Sequence, residues 1–253
     1  MEQRKVKVAI IGAGTAGMVA YQRARKHSDS VLLIEGSQYG TTCARVGCMP
    51  SKLLIAAADA AHAARSSGLF GIICPTVAID GEAVMARVRS ERDRFVASVV
   101  KSAESYPEQD RLHGHVRFAS PHRLMVGDHT EVTAERIVIA TGSRPNIPGF
   151  LKEAGDRLVV NDDLFDWHDL PASVAVFGPG VIGLELGQAL ARLGVRIRMF
   201  GVGGSLGSLQ DPQLREYALK TFNREFPLDP DADVTAVVRS AEGVSISFKN
   251  ADK

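Results

Sequence analysis

The sequence predicts an α/β protein with two Rossmann-like βαβ units with parallel sheets, the second of them incomplete, and a small antiparallel β excursion. The first observation behind this prediction is an internal repeat, because residues 8–35 and residues 174–201 align without a gap. Each copy consists of an apolar strand, a Gly-x-Gly-x-x-Gly turn, a helix and a second apolar strand. The other observation is a series of short alternating segments from residue 111 onward, a pattern typical of antiparallel strands. The predicted strands are RLHGHVRF at 111–118, HRLMVG at 122–127, TEVTA at 130–134 and RIVIATG at 136–142.

The composition limits the classes of protein that this chain can belong to. Of the 253 residues, 45% are hydrophobic and 23% are charged, so the chain can bury a core and is not of the disordered class. Lys and Arg number 30 against 29 Asp and Glu, a formal charge of +1 that carries no signature of nucleic-acid binding. No apolar run has membrane length, no secretory leader is recognisable, and three Cys make no disulfide framework. We therefore expect a cytoplasmic protein that binds neither nucleic acid nor membrane.

The glycine turn of the first copy has the residues that a dinucleotide site requires. Gly12 permits a tight turn, Gly14 lets the backbone approach a pyrophosphate, and Gly17 lets the helix pack on the strand. The N-terminus of the following helix offers unpaired N–H groups to the phosphates. Glu35 ends the second strand, where a carboxylate accepts hydrogen bonds from ribose hydroxyls. The alternatives are an ordinary strand-to-helix turn and a solvated acid at the end of a strand.

The second copy departs from this pattern at the ribose position. Its glycines have the same spacing, at Gly178, Gly180 and Gly183. Gly201 stands where an acid is expected, and no Arg or Lys occurs in residues 202–211 to bind a 2′-phosphate. Arg196 and Arg198 of the preceding strand either reach that position or alternate as exposed residues. The choice between NAD and NADP therefore stays open, and two dinucleotide sites in one chain suggest electron transfer between a flavin and a nicotinamide.

Two cysteines, Cys43 and Cys48, lie in the segment between the repeats. Pro50 suits the first turn of a helix, and the Ala-rich sequence after it favours a helix. A cysteine beside a helix N-terminus is favoured as the thiolate, and two thiols this close can form and open a disulfide. One sulfur would attack a substrate and the other would resolve the mixed disulfide. Half of a zinc site and two buried structural cysteines are the alternatives, although Cys74 and the seven His supply no paired zinc spacing.

These motifs together resemble those of the pyridine nucleotide–disulfide oxidoreductases, above all the dihydrolipoamide dehydrogenase branch, with mercuric and glutathione reductases as further relatives. The matching segments are the first glycine turn with Glu35, YGTTCARVGCMPSK at 39–52, ATGSRPNIP at 140–148 and GPGVIGLELGQALARLG at 178–194. The resemblance covers the whole chain, and its Cys-x4-Cys segment is highly specific. One departure is local, because the family usually has Gly-Gly-Thr before the first Cys and this chain has Gly40, Thr41 and Thr42. A Thr at that turn restricts the backbone around the flavin phosphates.

The resemblance implies a flavin enzyme that passes electrons between NAD(P)H, FAD and a Cys43–Cys48 disulfide, to or from a dithiol or disulfide substrate such as dihydrolipoamide. Cys48 would form the charge-transfer thiolate with the flavin, and Cys43 would exchange with the substrate. Lys52 would lie near the flavin N5, and Glu185 near the meeting point of flavin and nicotinamide. The residues that would contact FAD are Gly12, Gly14, Gly17, Glu35, Thr42, Lys52 and Gly142, and those that would contact NAD(P) are Gly178, Gly180 and Gly183. No metal is implied.

Other readings of these residues stay open. Lys52 is otherwise a solvated Lys at a helix start, and Glu185 is otherwise a first-turn partner of a helix dipole. A non-catalytic FAD-binding fragment and a related mercuric, glutathione or quinone reductase are the alternative functions. Cys74, a lone Cys in an apolar run, is expected to be a small packed side chain.

The Pro- and Gly-rich segment at 145–150 predicts a domain boundary. It separates an FAD-binding domain, residues 1–148, from an incomplete NAD(P)-binding domain, residues 149–253. Residues 80–105 read as a long helix with Asp80 as its N-cap, and residues 229–248 as further strands. Relatives are nearly twice as long and carry a C-terminal dimerisation domain with a His-Glu pair. We therefore expect the N-terminal part of a longer homodimeric enzyme, with poor dithiol turnover by itself.

Overall fold

The computed structural model describes residues 1–249 of the chain. The strands are β1 (Glu2–Ile11), β2 (Val31–Glu35), β3 (Arg111–His113), β4 (Val116–Ser120), β5 (Arg123–Val126), β6 (Thr130–Ile139), β7 (Ser173–Phe177), β8 (Arg196–Phe200), β9 (Leu228–Asp229), β10 (Asp233–Arg239) and β11 (Val244–Lys249). The helices are α1 (Thr15–Arg25), α2 (Thr42–Arg45), α3 (Cys48–Ser66), α4 (Gly81–Glu104), α5 (Val181–Arg192) and α6 (Pro212–Phe222), with short 3-10 turns between some of them. The chain forms two compact units. The first contains Met1–Met49 and Arg92–Arg144, and the second contains Pro50–Glu91 and the chain from Pro145 onward.

The first unit is built on a six-stranded sheet in the order β3-β2-β1-β6-β5-β4. The pairs β3·β2, β2·β1 and β1·β6 are parallel, whereas β6·β5 and β5·β4 are antiparallel. Strands β1 and β2 are joined by α1, which makes the first βαβ unit. Residues 31–34 of β2 are all buried, the pattern of a strand that is covered on both faces. The predicted parallel sheet with an antiparallel excursion is confirmed here.

The second unit contains a three-stranded parallel sheet, β7-β8-β9, and a separate antiparallel hairpin of β10 and β11. Helix α5 connects β7 to β8 and makes the second βαβ unit. Val174 pairs with Ile197 and Phe177 with Phe200, so the carboxyl ends of β7 and β8 lie side by side. A glycine turn that follows β7 is therefore presented at the edge of the sheet where doubly wound proteins bind ligands. The predicted second βαβ unit is thus confirmed.

Three details differ from the sequence predictions. The segment 111–118 was expected as one antiparallel strand, but it is divided into β3 and β4 at Gly114, whose φ of +149° is accessible mainly to glycine. The two strands expected between 130 and 142 form the single strand β6. Cys74 is exposed and not packed, because the apolar run around it lies on the surface. The predicted helix at 80–105 is confirmed as α4, and the Asp80 carboxylate accepts a hydrogen bond from Ala83 N at 3.0 Å.

Candidate active site

The first glycine turn joins β1 to α1 in the first unit. Gly12 has a φ of +102°, and a Cβ there would collide with the carbonyl oxygen of Ala140 at the end of the neighbouring strand. A Cβ on Gly17 would collide with the carbonyl oxygen of Gly12, so helix and turn meet at this point without room for a side chain. A Cβ on Gly14 would meet nothing within 4 Å. Protein packing therefore requires Gly12 and Gly17, whereas the absence of a side chain at Gly14 leaves open space beside the helix N-terminus.

The N-terminus of α1 has the properties of an anion site. Its N-cap is Gly14, no side chain caps the first turn, and no acidic residue lies in that turn. The backbone N–H groups of the first turn are thus free of side-chain acceptors and carry the positive end of the helix dipole. By contrast, α6 is capped by Asp211, whose carboxylate accepts hydrogen bonds from Gln213 N and Leu214 N. The open Gly14 side and the uncapped α1 fit a dinucleotide pyrophosphate.

Glu35 lies beside this turn and is not a solvated acid at the end of its strand. Its Oε2 accepts a hydrogen bond from Ala13 N at 2.7 Å, and its Oε1 accepts one from Ser37 N at 2.9 Å. Partial burial raises the pKa of Glu35, but these N–H donors outweigh that effect and hold the pKa below its usual range. A carboxylate is therefore fixed against the glycine turn, within the first βαβ unit.

The turn before the cysteines accommodates Thr41 without strain. Gly40 has the positive φ, +117°, while Thr41 has an extended backbone with φ of −78°. The Thr41 hydroxyl accepts a hydrogen bond from Ala44 N at 3.1 Å and caps α2. The backbone restriction expected at Thr41 therefore causes no strain, because Thr41 serves as the N-cap of α2 in an extended conformation. Thr42 is the exposed first residue of α2, and Gly142 lies after β6 with a φ of +71°.

The two cysteines of the predicted redox pair lie in contact. Cys43 lies in the one-turn helix α2, and Cys48 is the first residue of α3, two positions earlier than the helix start suggested by Pro50. The Cys43 thiol is hydrogen-bonded to the Cys48 thiol, and its sulfur also accepts the backbone N–H groups of Cys48 and Met49. The bond to Cys48, together with burial, raises the pKa of Cys43 although the two N–H donors oppose the shift. Cys43 is half-buried and Cys48 is exposed, so this pair is not buried structural sulfur.

The second glycine turn repeats the geometry of the first within the second unit. Gly178 has a φ of +105°, and a Cβ on Gly183 would collide with the carbonyl oxygen of Gly178. A Cβ on Gly180 would meet nothing within 4 Å, as at the corresponding position of the first copy. Gly180 is the N-cap of α5, with no side-chain cap and no acid in the first turn. The two copies are therefore alike in conformation as well as in sequence.

The ribose position of the second copy is crowded by backbone. A Cβ on Gly201 would collide with the carbonyl oxygen of Pro230, which explains the missing acid. Asp231, which follows β9, places a carboxylate at the loop after β8. Its Oδ1 accepts a hydrogen bond from Gly203 N at 2.6 Å. The Arg198 guanidinium lies 4.4 Å from the centre of the Phe248 ring, in a cation–π contact, and Arg196 is exposed.

Lys52 and Glu185, each predicted as a catalytic residue, form an ion pair in the second unit. Lys52 Nζ lies 2.8 Å from both carboxylate oxygens of Glu185, although 133 residues separate the two. Glu185 is the fifth residue of α5 and lies outside its first turn, which excludes the reading as a first-turn dipole partner. Lys52 is exposed but paired, so it is not simply a solvated residue at a helix start.

Sequence reasoning missed a second charged cluster beside this pair. Arg192 at the end of α5 donates to both carboxylate oxygens of Glu225, at 2.8 and 3.0 Å, and to Asp59 of α3 at 2.8 Å. Glu225 raises the pKa of Arg192, and Arg192 in turn holds the pKa of Glu225 below its usual range. No local motif marks these residues. The only signal in the sequence was spacing. Asp59 lies seven residues after Lys52 on α3, and Arg192 lies seven residues after Glu185 on α5.

Residues 1–249, which the structure describes, contain neither a metal-binding cluster nor a membrane-spanning helix. Within that range, no three His, Cys, Asp or Glu side chains lie close enough together to bind a metal ion. No helix in the same range combines the length and the apolar character needed to cross a lipid bilayer.

Two glycine turns, each leading from a parallel strand into an uncapped helix, define a dinucleotide-binding α/β protein of the Rossmann class. The sequence profile of the pyridine nucleotide-disulphide oxidoreductases matches residues 6–253, and the chain belongs to that family. The family is flavin-dependent and binds FAD and NAD(P).

Relatives with different names are about equally similar to this chain. Mercuric reductase of Shigella flexneri is 33% identical over 224 residues, which cover 86% of this chain and 40% of that protein. Dihydrolipoyl dehydrogenase of Bacillus subtilis (strain 168) is 31% identical over 253 residues, which cover 94% of this chain and 53% of that protein. The chain therefore spans about half the length of the curated relatives it matches.

The fold recurs in a solved structure, that of the HOCl-induced flavoprotein disulfide reductase RclA from Escherichia coli. The TM-score is 0.78 at 21% sequence identity, over 97% of this chain and 53% of that one. At this identity the likeness concerns the fold alone.

Proposed function

We propose that this chain carries the cofactor-binding and redox half of a flavin-dependent disulfide oxidoreductase. Electrons would pass between NAD(P)H, FAD and the Cys43–Cys48 pair, and from there to or from a dithiol or disulfide substrate. The observation that carries the proposal is the contact between the two thiols at the N-terminus of α3. Closing a disulfide from two thiols releases two electrons and two protons, and two electrons are what a hydride carries.

The residues of the first unit support FAD at the first glycine turn. FAD, when bound, supplies the acceptor and donor of those two electrons. The uncapped N-terminus of α1 and the open side of Gly14 would take its pyrophosphate, and the Glu35 carboxylate would accept hydrogen bonds from its ribose. Thr42 and Gly142 are proposed contacts because of the family resemblance. On this proposal residues 1–148 form the FAD-binding domain and residues 149–253 the NAD(P)-binding domain, whose last four residues lie outside the described part of the chain.

The chain's own residues would divide the redox work. Cys48, exposed at the start of α3, would be the sulfur that approaches the flavin. Cys43 would exchange with the substrate after its thiol proton has left to solvent, since the thiolate is the attacking species and the hydrogen bond to Cys48 favours the thiol. Lys52 would stabilise negative charge beside the flavin, and Glu185 would hold the Lys52 side chain in place through the pair at 2.8 Å.

The second glycine turn supports a nicotinamide dinucleotide at Gly178, Gly180 and Gly183. We propose NAD in preference to NADP, since the Asp231 carboxylate lies against the loop at the ribose position and would repel a 2′-phosphate. Arg215 is the opposing cation, at 3.4 Å from the carbonyl oxygen of Gly204. NADH and NADPH titrations of the chain and of an Asp231→Asn variant test this preference. Equal affinity of the unaltered chain for both nucleotides would overturn it.

Two substrates are supported by the relatives. Dihydrolipoamide is the first, as a dithiol that would give two electrons and two protons to the Cys43–Cys48 disulfide. Hg(II) is the second, because a mercuric reductase is as similar to this chain as a dihydrolipoyl dehydrogenase. It would take two electrons and leave as Hg(0). NADH oxidation with Hg(II), compared with NAD reduction by dihydrolipoamide, separates them.

The longer enzyme is proposed to be a homodimer in the cytoplasm that acts on a small or lipoyl-type disulfide. Family membership supports the dimer, and the low cysteine content supports a reducing compartment. Sedimentation of a chain as long as those of the relatives tests the dimer. A monomer at every accessible concentration would contradict it.

The test of the redox proposal is an anaerobic visible spectrum of this chain with FAD, before and after a dithiol is added. A long-wavelength thiolate-to-flavin band is expected after reduction. It should disappear in the Cys48→Ser variant and persist in the Cys74→Ser variant, whose exposed Cys74 serves as the matched control. Bound flavin without that band would leave a non-catalytic binding module, and no bound flavin would overturn the proposal for this chain.

A further inference from the structure

Two ion pairs join α3 and α5 in the second unit, and they are equally spaced on both helices. The first links Lys52 to Glu185 at 2.8 Å, and the second links Asp59 to Arg192 at 2.8 Å. The second pair lies seven residues after the first on α3 and seven residues after it on α5. Seven residues are about two helical turns. The two helices therefore run in the same direction along this contact, and the two ion pairs have the same separation on both helices.

The order of the charges is reversed between the helices. Helix α3 presents a cation and then an anion, whereas α5 presents an anion and then a cation. A shift of one helix by two turns along the other would bring Lys52 against Arg192, or Asp59 against Glu185. Contacts between like charges are unfavourable, so the pattern specifies one register of α3 on α5.

Arg192 is the most firmly held of the four charged residues. Its side chain is only 20% exposed, and its guanidinium forms a two-point contact with Glu225, which follows α6. Glu225 also accepts a hydrogen bond from Gln188 of α5 at 2.7 Å. Glu225 thus fixes the orientation of the planar guanidinium through two of its nitrogens, and the third nitrogen bonds Asp59. A second link comes from Arg65 of α3, which donates to the carbonyl oxygen of Arg192.

The space between the helices gives the ion pairs a specific task. Both pairs line a pocket of about 320 Å³ that is open to solvent, together with small or apolar residues that include Ala58 and Ala189. Side chains beside an open pocket are less restrained by close packing than side chains within a filled core. The distance and register between Lys52 and Glu185 therefore depend on a second fixed point.

We propose that Asp59 and Arg192, with Glu225 behind them, are positioning residues that keep Lys52 in contact with Glu185. They act through the helix register and touch neither the cysteine pair nor the glycine turns in the proposed mechanism. The proposal rests on the proposed function only in giving the Lys52–Glu185 pair a catalytic role. The contact itself can be measured without flavin.

The test is the exchange of the Lys52 ammonium protons with water, measured by heteronuclear NMR on the full chain with labelled lysine and no added flavin. A Glu185→Gln variant defines the exchange rate of the broken pair. Asp59→Asn is expected to raise the Lys52 rate by about two- to fivefold, the range for loss of an exposed ion pair. Asp59→Glu, which keeps a carboxylate, is expected to restore most of the protection. In the Glu185→Gln background, Asp59→Asn should cause no further change, since the effect passes through Glu185.

A matched control is the pair of Lys220 and Glu216 on α6, at 2.6 Å. Glu216→Gln should change the exchange of Lys220 and leave that of Lys52 as it is. A melting temperature is recorded for every variant, because a merely structural role would lower stability without changing Lys52. If Asp59→Asn does not fold, Arg192→Lys takes its place, because the single ammonium nitrogen of Lys cannot reproduce the two-point contact with Glu225 together with the bond to Asp59.

An unchanged Lys52 exchange rate in the folded Asp59 or Arg192 variant overturns the proposal, whatever happens to the melting temperature. A chain that fails to bind FAD but shows the expected NMR changes would overturn the proposed function alone. The two failures are thus distinguishable.

Discussion

The thiols of Cys43 and Cys48 are hydrogen-bonded to each other, although the residues belong to different helices. This bond is the main reason why the pKa of Cys43 lies above its ordinary value, with burial adding to the shift. A raised pKa means that the neutral thiol is favoured in the folded chain. Its stabilising contribution is present below the pKa of the unfolded chain and is lost as pH rises through the folded pKa.

The first prediction concerns the reactivity of Cys43. A Cys48→Ala variant removes the main cause of the raised pKa while the N–H donors of Cys48 and Met49 remain as backbone. Alkylation of Cys43 by iodoacetamide is therefore expected to begin at lower pH in the variant than in the unaltered chain. The measurement is a pH series with mass-spectrometric readout, and exposed Cys74 is the internal standard. Identical Cys43 profiles in the two proteins would contradict the role of the hydrogen bond.

The second prediction separates the glycines that packing requires from the one that leaves space open. Gly17→Ala puts a Cβ into the carbonyl oxygen of Gly12, so we expect a loss of about 3 kcal/mol or more in stability. Gly14→Ala meets no atom within 4 Å and keeps an extended φ of −73°, so a change within about 0.5 kcal/mol is expected. Urea denaturation measures both.

The same pair of variants tests the proposed FAD site. Gly14→Ala is expected to fold and yet to bind FAD at least tenfold more weakly, a loss of about 1.4 kcal/mol in binding free energy. The reason is that its methyl group would occupy the space through which the pyrophosphate approaches the backbone. Gly180→Ala is the matched control in the second copy. It should weaken the binding of the nicotinamide dinucleotide and leave the binding of FAD unchanged. Unaltered FAD affinity in a folded Gly14→Ala protein would remove this turn from the site.

Local motifs are what the sequence reveals reliably in this chain. The glycine turns, Glu35 and the cysteine pair each follow a fixed spacing within one βαβ unit or one loop, and such spacing has a direct conformational meaning. Lys52 and Glu185 were each expected through the family resemblance, but the ion pair between them was not predicted. Asp59 and Arg192 were not expected at all, because their partners lie on other helices and no short pattern records which helix faces meet.

Two errors have a similar origin. The apolar residues around Cys74 suggested burial, but composition does not say which surface covers a segment, and here none in the described chain does. The break at Gly114 was missed because a strand pattern continues on both sides of it. A Cβ at Gly114 would approach Val126 to 2.8 Å, so the chain changes from the parallel edge to the antiparallel hairpin at a residue without a side chain.

The third prediction follows from the carboxylate of Glu35. Burial raises its pKa, but N–H donors outweigh that effect and hold the pKa below its usual range, so the ionised form stabilises the fold. That contribution is present above the pKa of the unfolded chain and is lost as pH falls through the lower folded pKa. Glu35→Gln is expected to cost about 1 kcal/mol at neutral pH, since an amide is a weaker acceptor for Ala13 N. Denaturation at neutral and acidic pH measures the difference, which should shrink in acid; a constant difference would contradict the assignment.

The fourth prediction concerns a buried contact in the first unit. The Tyr21 hydroxyl donates to Asp110 Oδ2 at 2.6 Å, and both residues are less than 5% exposed. Burial and this donation to a carboxylate raise the pKa of Tyr21, so it remains a donor over the whole physiological range. Tyr21→Phe leaves Asp110 with the Arg25 guanidinium at 3.5 Å and without its short hydrogen bond. We expect a loss of about 1 to 3 kcal/mol in the free energy of unfolding.

The matched control for that variant is Tyr106→Phe. The Tyr106 ring packs against the Tyr21 ring at a tilt of 32°, with centroids 4.2 Å apart, and its hydroxyl accepts a hydrogen bond from Gln22 at the surface. Phe keeps the ring contact and removes only a solvent-exposed bond, so a change within about 0.5 kcal/mol is expected. Urea denaturation of both variants gives the comparison. Equal losses would mean that the hydrogen bond to the buried Asp110 carboxylate stabilises the fold no more than the exposed hydrogen bond of Tyr106 does.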